Sequence, residues 1–505
     1  MLDLGTSFLA SVERDPDALA IVDGEMRLSY RQWYDKVSAL AAALSETGLK
    51  RGDHVLTAMQ NRWENATLHW ACQFLGLIIT PLNWRAKADE IDFGIEDAGA
   101  KAVFYDASTE EAVRLSRLAQ HLPQFSAEAL ADIMDGKVPD AVPVADAADW
   151  SLMLYTSGTT SKPKGVPRRH LAERAGAVAH VAQNLYRHGE RTLGVMPLYH
   201  TMGVRSLIAS SLIGGAFVCL PRFDAAKALD LIEQEKITNL YLVPTLYHDL
   251  VHHETFSPER VASVRKLGYA GASMTDGLLK RLEQTFRPEL FVNHYGSSEI
   301  YTFTIEQKAA AKPGSAGRAG INQTIRVVKL GSRNPDERAA VGEEGEIIAL
   351  MKSDEAFEGY WNRPDADAKA LHGGWYFTGD TGFFDADGDL FVTGRADDMI
   401  ITGGENVSPV EVESCLSLHD GVAEVAVVGL PDERWGKIVV AFIKRRGDVT
   451  AEDLDRHCRD SGLANFRRPR RIVFVEEIPK SPVGKLLRRL LVAGEYTEER
   501  IPENH

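Results

Sequence analysis

The sequence predicts an α/β fold: a large N-terminal domain of parallel-type sheets with helices plus a β-rich subdomain, and a small α+β C-terminal domain. Three observations carry this. Short apolar runs with strand character alternate with stretches of helical period through the first part of the chain. From about Gly320 the pattern changes to shorter strands punctuated by glycine turns. Beyond Arg395 the order becomes strand, strand, helix, strand within about a hundred residues, a usual domain size. The expected domains are therefore 1–395 and 396–505, with no linker-like tract between them, so the junction reads as a hinge rather than a tether.

Taken in order, Ser29 reads as a helix N-cap, with Trp33, Val37, Leu40, Ala41 and Leu44 following in helical period and Gly48 at the C-cap. A strand is expected at 55–59. The uncharged stretch 65–84 has the length of a membrane span, but His69, Gln73, Gly76, Pro81 and Asn83 divide it into a buried helix, a turn and a strand. Further strands are expected at 102–105, 193–196, 239–243 and 291–294, with helical segments such as 225–235 between them. Strands separated by helices indicate largely parallel sheets. Runs at 346–350 and 390–393 mark the β-rich part. Strands at 422–428, 438–443 and 472–475 with a helix at 451–458 build the last unit.

At 505 residues the chain exceeds what one core holds. Its 44% hydrophobic and 26% charged residues are those of a soluble globular protein. A net charge of −15 argues against nucleic acid and anionic membranes as partners, because both demand a basic surface. Cys72, Cys219, Cys415 and Cys458 are far apart in sequence, with neither CxxC nor zinc-ligand spacing, and read as reduced thiols. The N-terminus has no basic region followed by an apolar one, which with the thiols points to a cytoplasmic protein.

The run Leu154-Tyr155-Thr156-Ser157-Gly158-Thr159-Thr160-Ser161-Lys162-Pro163-Lys164-Gly165 offers hydroxyls, backbone N–H groups and ammonium charge directly after an apolar strand, as a polyphosphate requires. It is not the P-loop ATPase motif, because the sixth position from Gly158 is Pro163. By itself such a run also reads as ordinary turn chemistry. Five further clusters follow: Met196-Pro197-Leu198-Tyr199-His200; His294-Tyr295-Gly296-Ser297-Ser298-Glu299; Thr378-Gly379-Asp380; Gly394-Arg395 with Gly403-Gly404; and Pro479-Lys480-Ser481-Pro482-Val483-Gly484-Lys485. A carboxylate after a glycine turn suits Mg²⁺, an acidic residue in a tight turn suits a ribose diol, and arginine suits phosphate.

In this order and spacing the clusters resemble the adenylate-forming superfamily, closest in motif to the 4-chlorobenzoate- and benzoate-type CoA ligases, over nearly the whole chain. The resemblance implies that MgATP activates a carboxylate to an acyl-adenylate with release of pyrophosphate, and that a thiol then displaces AMP. By matched position Thr156, Ser157, Gly158, Thr159, Thr160 and Lys164 hold the phosphates, and Tyr295, Gly296, Ser297, Ser298, Asp380 and Arg395 hold the nucleoside part. Glu299 and Thr160 hold Mg²⁺, while Lys485, Glu299 and His200 are the catalytic candidates. The family loop usually has glycine where this chain has Ser161.

The segment Phe466-Arg467-Arg468-Pro469-Arg470-Arg471 resembles the stretch with which aryl-CoA ligases grip coenzyme A. It implies Arg468 and Arg470 on the nucleotide phosphates, Phe466 and Trp435 as aromatic contacts, and Gly403 and Gly404 lining the pantetheine tunnel. Asp397 matches the hinge about which the family's small, mobile lid domain turns. The matched acyl-pocket positions are Val178, His200, Tyr247, Ala272, Gly296 and Tyr301, a short and mostly apolar site expected to take a planar ring. Arg205 admits pairing with a second carboxylate, the other reading being a structural or surface arginine. Alternative acids are medium-chain or dicarboxylic, alternative classes a carrier-protein-loading enzyme or a non-catalytic nucleotide binder. Similar ligases are commonly homodimers.

Overall fold

The computed structural model describes residues 1–156, 163–395, 398–480 and 486–499, apart from the side chain of Asn406. The candidates Ser157, Gly158, Thr159, Thr160, Asp397 and Lys485, and the anomalous Ser161, lie outside the described residues.

The described strands form three sheets. In a six-stranded sheet, strands Gln124–Ser126, Ala102–Tyr105, His54–Ala58, Ile78–Pro81 and Trp150–Thr156 run parallel, and Lys164–Arg169 folds back antiparallel on the last. A fourteen-stranded sheet has a parallel centre, in the order Leu290–Tyr295, Lys266–Tyr269, Asn239–Leu242, Arg191–Gly194, Ala216–Cys219 and Leu19–Asp23. The third sheet, of five strands, is built from 400–474 around the long antiparallel pair Val422–Asp432 and Gly436–Arg445.

The strand-rich part beyond Gly320 does not form a sheet of its own. Antiparallel strands Thr304–Glu306 and Ser315–Ala319 continue the parallel sheet, and Ser315–Ala319 pairs with Leu390–Arg395, carrying the sheet on into Trp375–Phe384 and Gly345–Leu350. One sheet thus spans from the parallel strands to Asp380 and Arg395, and carries Tyr295 together with them, while Lys164 comes from the six-stranded sheet.

Local elements follow the sequence signals closely. Ser29 caps helix Tyr30–Glu46: its Oγ accepts from the Gln32 N–H and its own N–H donates to Gln32 Oε1. Thr47 is the C-cap and Gly48 the left-handed residue after it. The stretch 65–84 resolves into the buried helix Trp63–Leu75, a left-handed Gly76 and strand Ile78–Pro81. Among the described residues no helix is long and apolar enough to cross a membrane. Phe8, Tyr30, Trp33, Trp70 and Phe74 pack this helix layer. Each contributes about 1.5–3 kcal/mol by burial, enough to hold the strand ends that carry function.

Candidate active site

Chemistry-bearing residues gather where the Trp150–Thr156/Lys164–Arg169 hairpin meets the end of strand Leu290–Tyr295. Thr156 and Lys164 are register partners at the base of the phosphate-loop candidate. Thr156 Oγ1 is buried and has no hydrogen-bond partner among the described residues. The Lys164 ammonium sits 4.0 Å from the centre of the Tyr360 ring. The Tyr360 hydroxyl donates to Glu299 Oε1 at 2.7 Å. Burial pulls the Lys164 ammonium below its ordinary pKa, helped by Arg363 and Arg395 and opposed by Glu299. Burial and then the Glu299 charge push the Tyr360 phenol up, so it stays a donor.

Glu299 is fixed from behind. Its backbone carbonyl accepts from the Phe357 N–H at 2.9 Å and from Arg168 Nη1 at 2.9 Å. Arg168 is fully buried and paired with Glu173 at 2.7 Å. Gly296 makes the turn possible, since a Cβ there would lie 2.0 Å from the Tyr301 carbonyl oxygen. Ser297 closes the same turn, its N–H donating to the Ile300 carbonyl at 3.0 Å. Ser298 is half-buried beside it.

The second part of this rim comes from strand register. Asp380 and Arg395 are directly opposite on strands Trp375–Phe384 and Leu390–Arg395, with Arg395 Nη1 3.2 Å from Asp380 Oδ1. The Tyr295 hydroxyl donates to Asp380 Oδ2 at 2.6 Å. Burial and the Asp380 charge hold that phenol protonated. The predicted nucleotide residues that are described therefore come together: Lys164 and Glu299 at one end, Tyr295, Asp380 and Arg395 at the other. Glu299 and Thr156 are hard oxygen donors, and this set fits Mg²⁺ in its chemistry. Asp385, Asp387 and Asp389 also cluster, but Lys312 Nζ lies 2.5, 3.0 and 2.5 Å from their carboxylates and neutralises them.

His200 caps helix Thr201–Leu212, its Nδ1 accepting from the Met202 N–H at 3.3 Å. Asn61 holds the approach to it, bonding to the Gly194 and Met196 carbonyls and to the Leu198 N–H. Ala272 is half-buried after strand Lys266–Tyr269, and Tyr301 is buried with its hydroxyl donating to Glu173 Oε2 at 2.9 Å.

Two predicted pocket positions are corrected. Val178 is 44% exposed on the outer side of helix His170–Gln183, and it is Gly176 that approaches the Tyr301 ring. Tyr247 is fully buried beneath the sheet, its hydroxyl donating to the Leu240 and Gly268 carbonyls. Tyr241 lies instead on the strand face toward Tyr301, and Arg205 Nη2 donates to its hydroxyl.

The surroundings of Tyr301 are also more polar than the sequence suggests. Arg205 is only 2% exposed, so it is no surface arginine, and its Nη1 donates to Thr302 Oγ1 at 2.6 Å. Rings of Tyr241, His180 and His294 pack with centroids 4.8 to 5.2 Å apart, and Asn184 bridges the two histidines at 3.0 and 3.1 Å. Burial and the Arg205 charge push both histidines well below their ordinary pKa, so they are neutral.

The candidate CoA residues form two groups on the small sheet region. Gly403, at φ 59°, donates its N–H to the Trp435 carbonyl at 3.0 Å, and a Cβ there would strike the Trp435 ring at 2.7 Å. Gly404 completes that turn, and the Arg470 guanidinium stacks on Trp435 at 4.3 Å. Phe466 packs against the small core, and Arg468 pairs with Asp455 at 3.0 Å. Sequence reasoning missed Tyr360, Arg168, Tyr241 and His180, none of which lies in a motif.

A family model described as AMP-binding enzyme matches residues 8–361, and one described as AMP-binding enzyme C-terminal domain matches 411–485. A 4-chlorobenzoate–CoA ligase of an Arthrobacter species is 35% identical over 95% of this chain and 93% of its own. The long-chain-fatty-acid–CoA ligase FadD13 of Mycobacterium tuberculosis is 32% identical over 92% and 93%. Among solved structures, ATP-bound MatB from Rhodopseudomonas palustris superimposes with a TM-score of 0.88 at 26% identity, covering 98% of this chain and 99% of that one. With both family models matched and the nucleotide rim assembled as their order requires, the chain belongs to the AMP-binding enzyme family, which works with ATP and CoA, and is an acid–thiol ligase of it.

Proposed function

We propose that this ligase activates a small aromatic or cyclic carboxylic acid with MgATP and passes the acyl group to CoA. The observation that carries the choice of acid is the closed polar floor around Tyr301. Arg205, Tyr241, His180, His294 and Tyr301 are each 3% exposed or less and tied to one another or to Asn184, Thr302 and Glu173. A long alkyl chain would have to displace these hydrogen bonds, each worth about 0.5–1.5 kcal/mol, and bury methylenes against polar groups. One ring stops short of them.

In the first half-reaction the acid's carboxylate attacks the α-phosphorus and pyrophosphate leaves. Asp380, steadied by Tyr295 and Arg395, holds the ribose hydroxyls. Lys164 and the residues 156–160 hold the β- and γ-phosphates. Glu299 with Thr160 would hold Mg²⁺, whose charge offsets that of the phosphates. Lys485 brings an ammonium to the oxygens on which charge grows in the transition state. His200, at the positive end of helix Thr201–Leu212, closes the acid's side of the cleft. The domains are 1–395 and 396–505; the second turns about Asp397 after pyrophosphate leaves, bringing Gly403, Gly404, Trp435, Phe466, Arg468 and Arg470 to CoA. The enzyme works in the cytoplasm and as a homodimer.

A second reading is a dicarboxylic acid. It is favoured by Arg205, whose buried Nε has no hydrogen-bond partner, and which has no carboxylate within ion-pair distance, among the described residues.

A CoA- and ATP-dependent AMP-release screen over aromatic, alicyclic, aliphatic and dicarboxylic acids tests the proposal. Highest kcat/KM is expected for a one-ring monoacid. A clear preference for medium-chain or dicarboxylic acids overturns it. Lys485→Ala is expected to abolish acyl-adenylate formation while sparing thioester formation from supplied acyl-adenylate, and equal loss of both steps contradicts the role given to Lys485.

A further inference from the structure

Two of the four cysteines, 43 residues apart in sequence and unremarkable there, become neighbours in the small sheet region. Cys415 lies on helix Pro409–Ser417 and Cys458 on helix Ala451–Asp460, which face one another across a core of Val412, Leu416 and Leu454. Cys458 is fully buried, whereas Cys415 is half-buried and reachable from solvent. Cys415 packs against the same small core that contains Cys458. Ser461 Oγ donates to the Cys458 carbonyl at 2.9 Å and lies 2.9 Å from Cys415 Sγ, so one hydroxyl meets both cysteines; it accepts from the Cys415 thiol and, on rotating, can donate to a thiolate. His457, whose Nε2 donates to the Cys415 carbonyl at 2.9 Å, adds a cationic neighbour when protonated.

We propose that Cys415 and Cys458 are a redox-modification site, at which a hydroperoxide oxidises Cys415 and Cys458 resolves the product into an intramolecular disulfide. The two cysteines are unequal in the way this chemistry needs. The neighbouring Cys458 thiol, then Ser461 and His457, lower the Cys415 thiol, while the Cys415 thiol and burial push Cys458 up; exposure runs the same way, Cys415 being reachable from solvent and Cys458 not. Cys415 is the nucleophile and Cys458 the resolving thiol.

The Cys415 thiolate attacks one peroxide oxygen, the O–O bond breaks, and the departing oxygen leaves as water or alcohol with one proton. Cys415 is then a sulfenic acid. The Cys458 sulfur attacks it, the S–O bond breaks, and hydroxide leaves with the Cys458 proton as water. Two thiols lose two electrons and one peroxide gains them. The new bond ties together the two helices on which Arg467 is paired with Glu411 and Arg468 with Asp455, so oxidation fixes the supports of the basic segment 466–471. Cys72 and Cys219 are fully buried in the other cores, where burial keeps their thiols protonated and unreactive.

The test uses the full chain, reduced and then treated with stoichiometric hydrogen peroxide near pH 7, followed by thiol counting under denaturing conditions and non-reducing peptide mapping. The count is expected to fall from four to two, with a single Cys415–Cys458 cross-linked peptide that dithiothreitol removes. Cys458→Ser is expected to stop at a sulfenic acid on Cys415, captured by dimedone. Oxidation of Cys72 or Cys219 ahead of Cys415, or progress of wild-type Cys415 to sulfinic acid without the cross-link, overturns the proposal.

Discussion

The nucleotide rim and the acyl floor lie on either side of the turn 296–302, yet they are built in opposite ways. The rim is a set of side chains delivered by strands and a turn: Tyr295, Asp380 and Arg395 stand where sheet register puts them, and Glu299 follows in the turn. The floor is a mutual lock. Arg205, Tyr241, His180, His294 and Tyr301 come from two helices, two strands and a loop, and each holds its place through another's hydrogen bond or ring. On the function proposed here, the rim performs the same task for every acid and the floor selects among acids. Altering the rim should therefore scale all activities alike, and altering the floor should change their ratios.

The largest expected effect is on the rim. Asp380→Ala removes the acceptor of the Tyr295 hydroxyl and the partner of Arg395 together with the candidate ribose contact. Acid-dependent AMP formation is expected to fall roughly 100-fold, about 2.7 kcal/mol of transition-state stabilisation, by the same factor for every acid accepted. Steady-state kcat/KM over the panel checks this. Factors that differ tenfold between acids would break the comparison.

Next is the floor. Tyr301→Ala deletes a ring packed against Gly176 and under the Arg168 guanidinium, 4.1 Å from its centre. For one-ring acids kcat/KM should drop about tenfold, while acids a few carbons longer gain relative to them, within the range that hydrophobic pocket size commands. Tyr301→Phe, which keeps the ring and gives up only the bond to Glu173, should retain the wild-type order of acids. An unchanged order in the alanine variant would remove Tyr301 from the floor.

The same division explains what was legible in the sequence. Tyr295, Asp380 and Arg395 each adjoin a glycine and Glu299 follows three residues after one, and the order of such clusters is visible in one dimension. Tyr360 is the exception: it reaches Glu299 across 61 residues of chain from a loop with no motif of its own. Floor residues have no such markers. Tyr241 and Tyr247 are both aromatic and both buried, but Tyr241 lies on strand Asn239–Leu242 with its hydroxyl on Arg205, whereas Tyr247 lies on helix Pro244–Val251 with its hydroxyl on the Leu240 and Gly268 carbonyls. Val178 fails for a helical reason, since Gly176, Ala177 and His180 take the inward side of the turn. The β-rich region was visible as strands, but its joining to the parallel sheet depends on pairing between Ser315–Ala319 and Leu390–Arg395, which no local pattern reports.

Acid should separate the two regions by a smaller amount. His180 and His294 are buried and neutral, with folded pKa values well below the ordinary 6.5. Between those values only the unfolded chain takes up the proton. Stability is therefore greatest above pH 6.5 and declines as pH falls below it, by up to about 1.4 kcal/mol per pH unit for each such histidine. Urea unfolding between pH 7.5 and 5.5 should show a shallower decline for His294→Gln, by about one histidine's share. Asp380→Ala should keep the wild-type slope, and identical slopes in all three proteins would contradict the neutral floor.

Smallest is the effect expected at Trp435, in the small sheet region, where both arginine contacts are solvent-facing. Arg470 stacks at 4.3 Å and Arg434 at 5.0 Å, and the ring also backs the turn at Gly403. Cation–π contacts at exposed sites are worth about 0.5–1 kcal/mol. Trp435→Ala frees the Arg470 guanidinium from its stacked position, and the KM for CoA should rise about 2- to 5-fold as that group is ordered at binding instead of beforehand. Trp435→Phe keeps a ring for Arg470 and should recover most of the loss. Neither variant should alter acid-dependent ATP–pyrophosphate exchange, in which the small region takes part through Lys485 and not through Trp435. A fall in that exchange would mean that Trp435 supports adenylation as well as the binding of CoA.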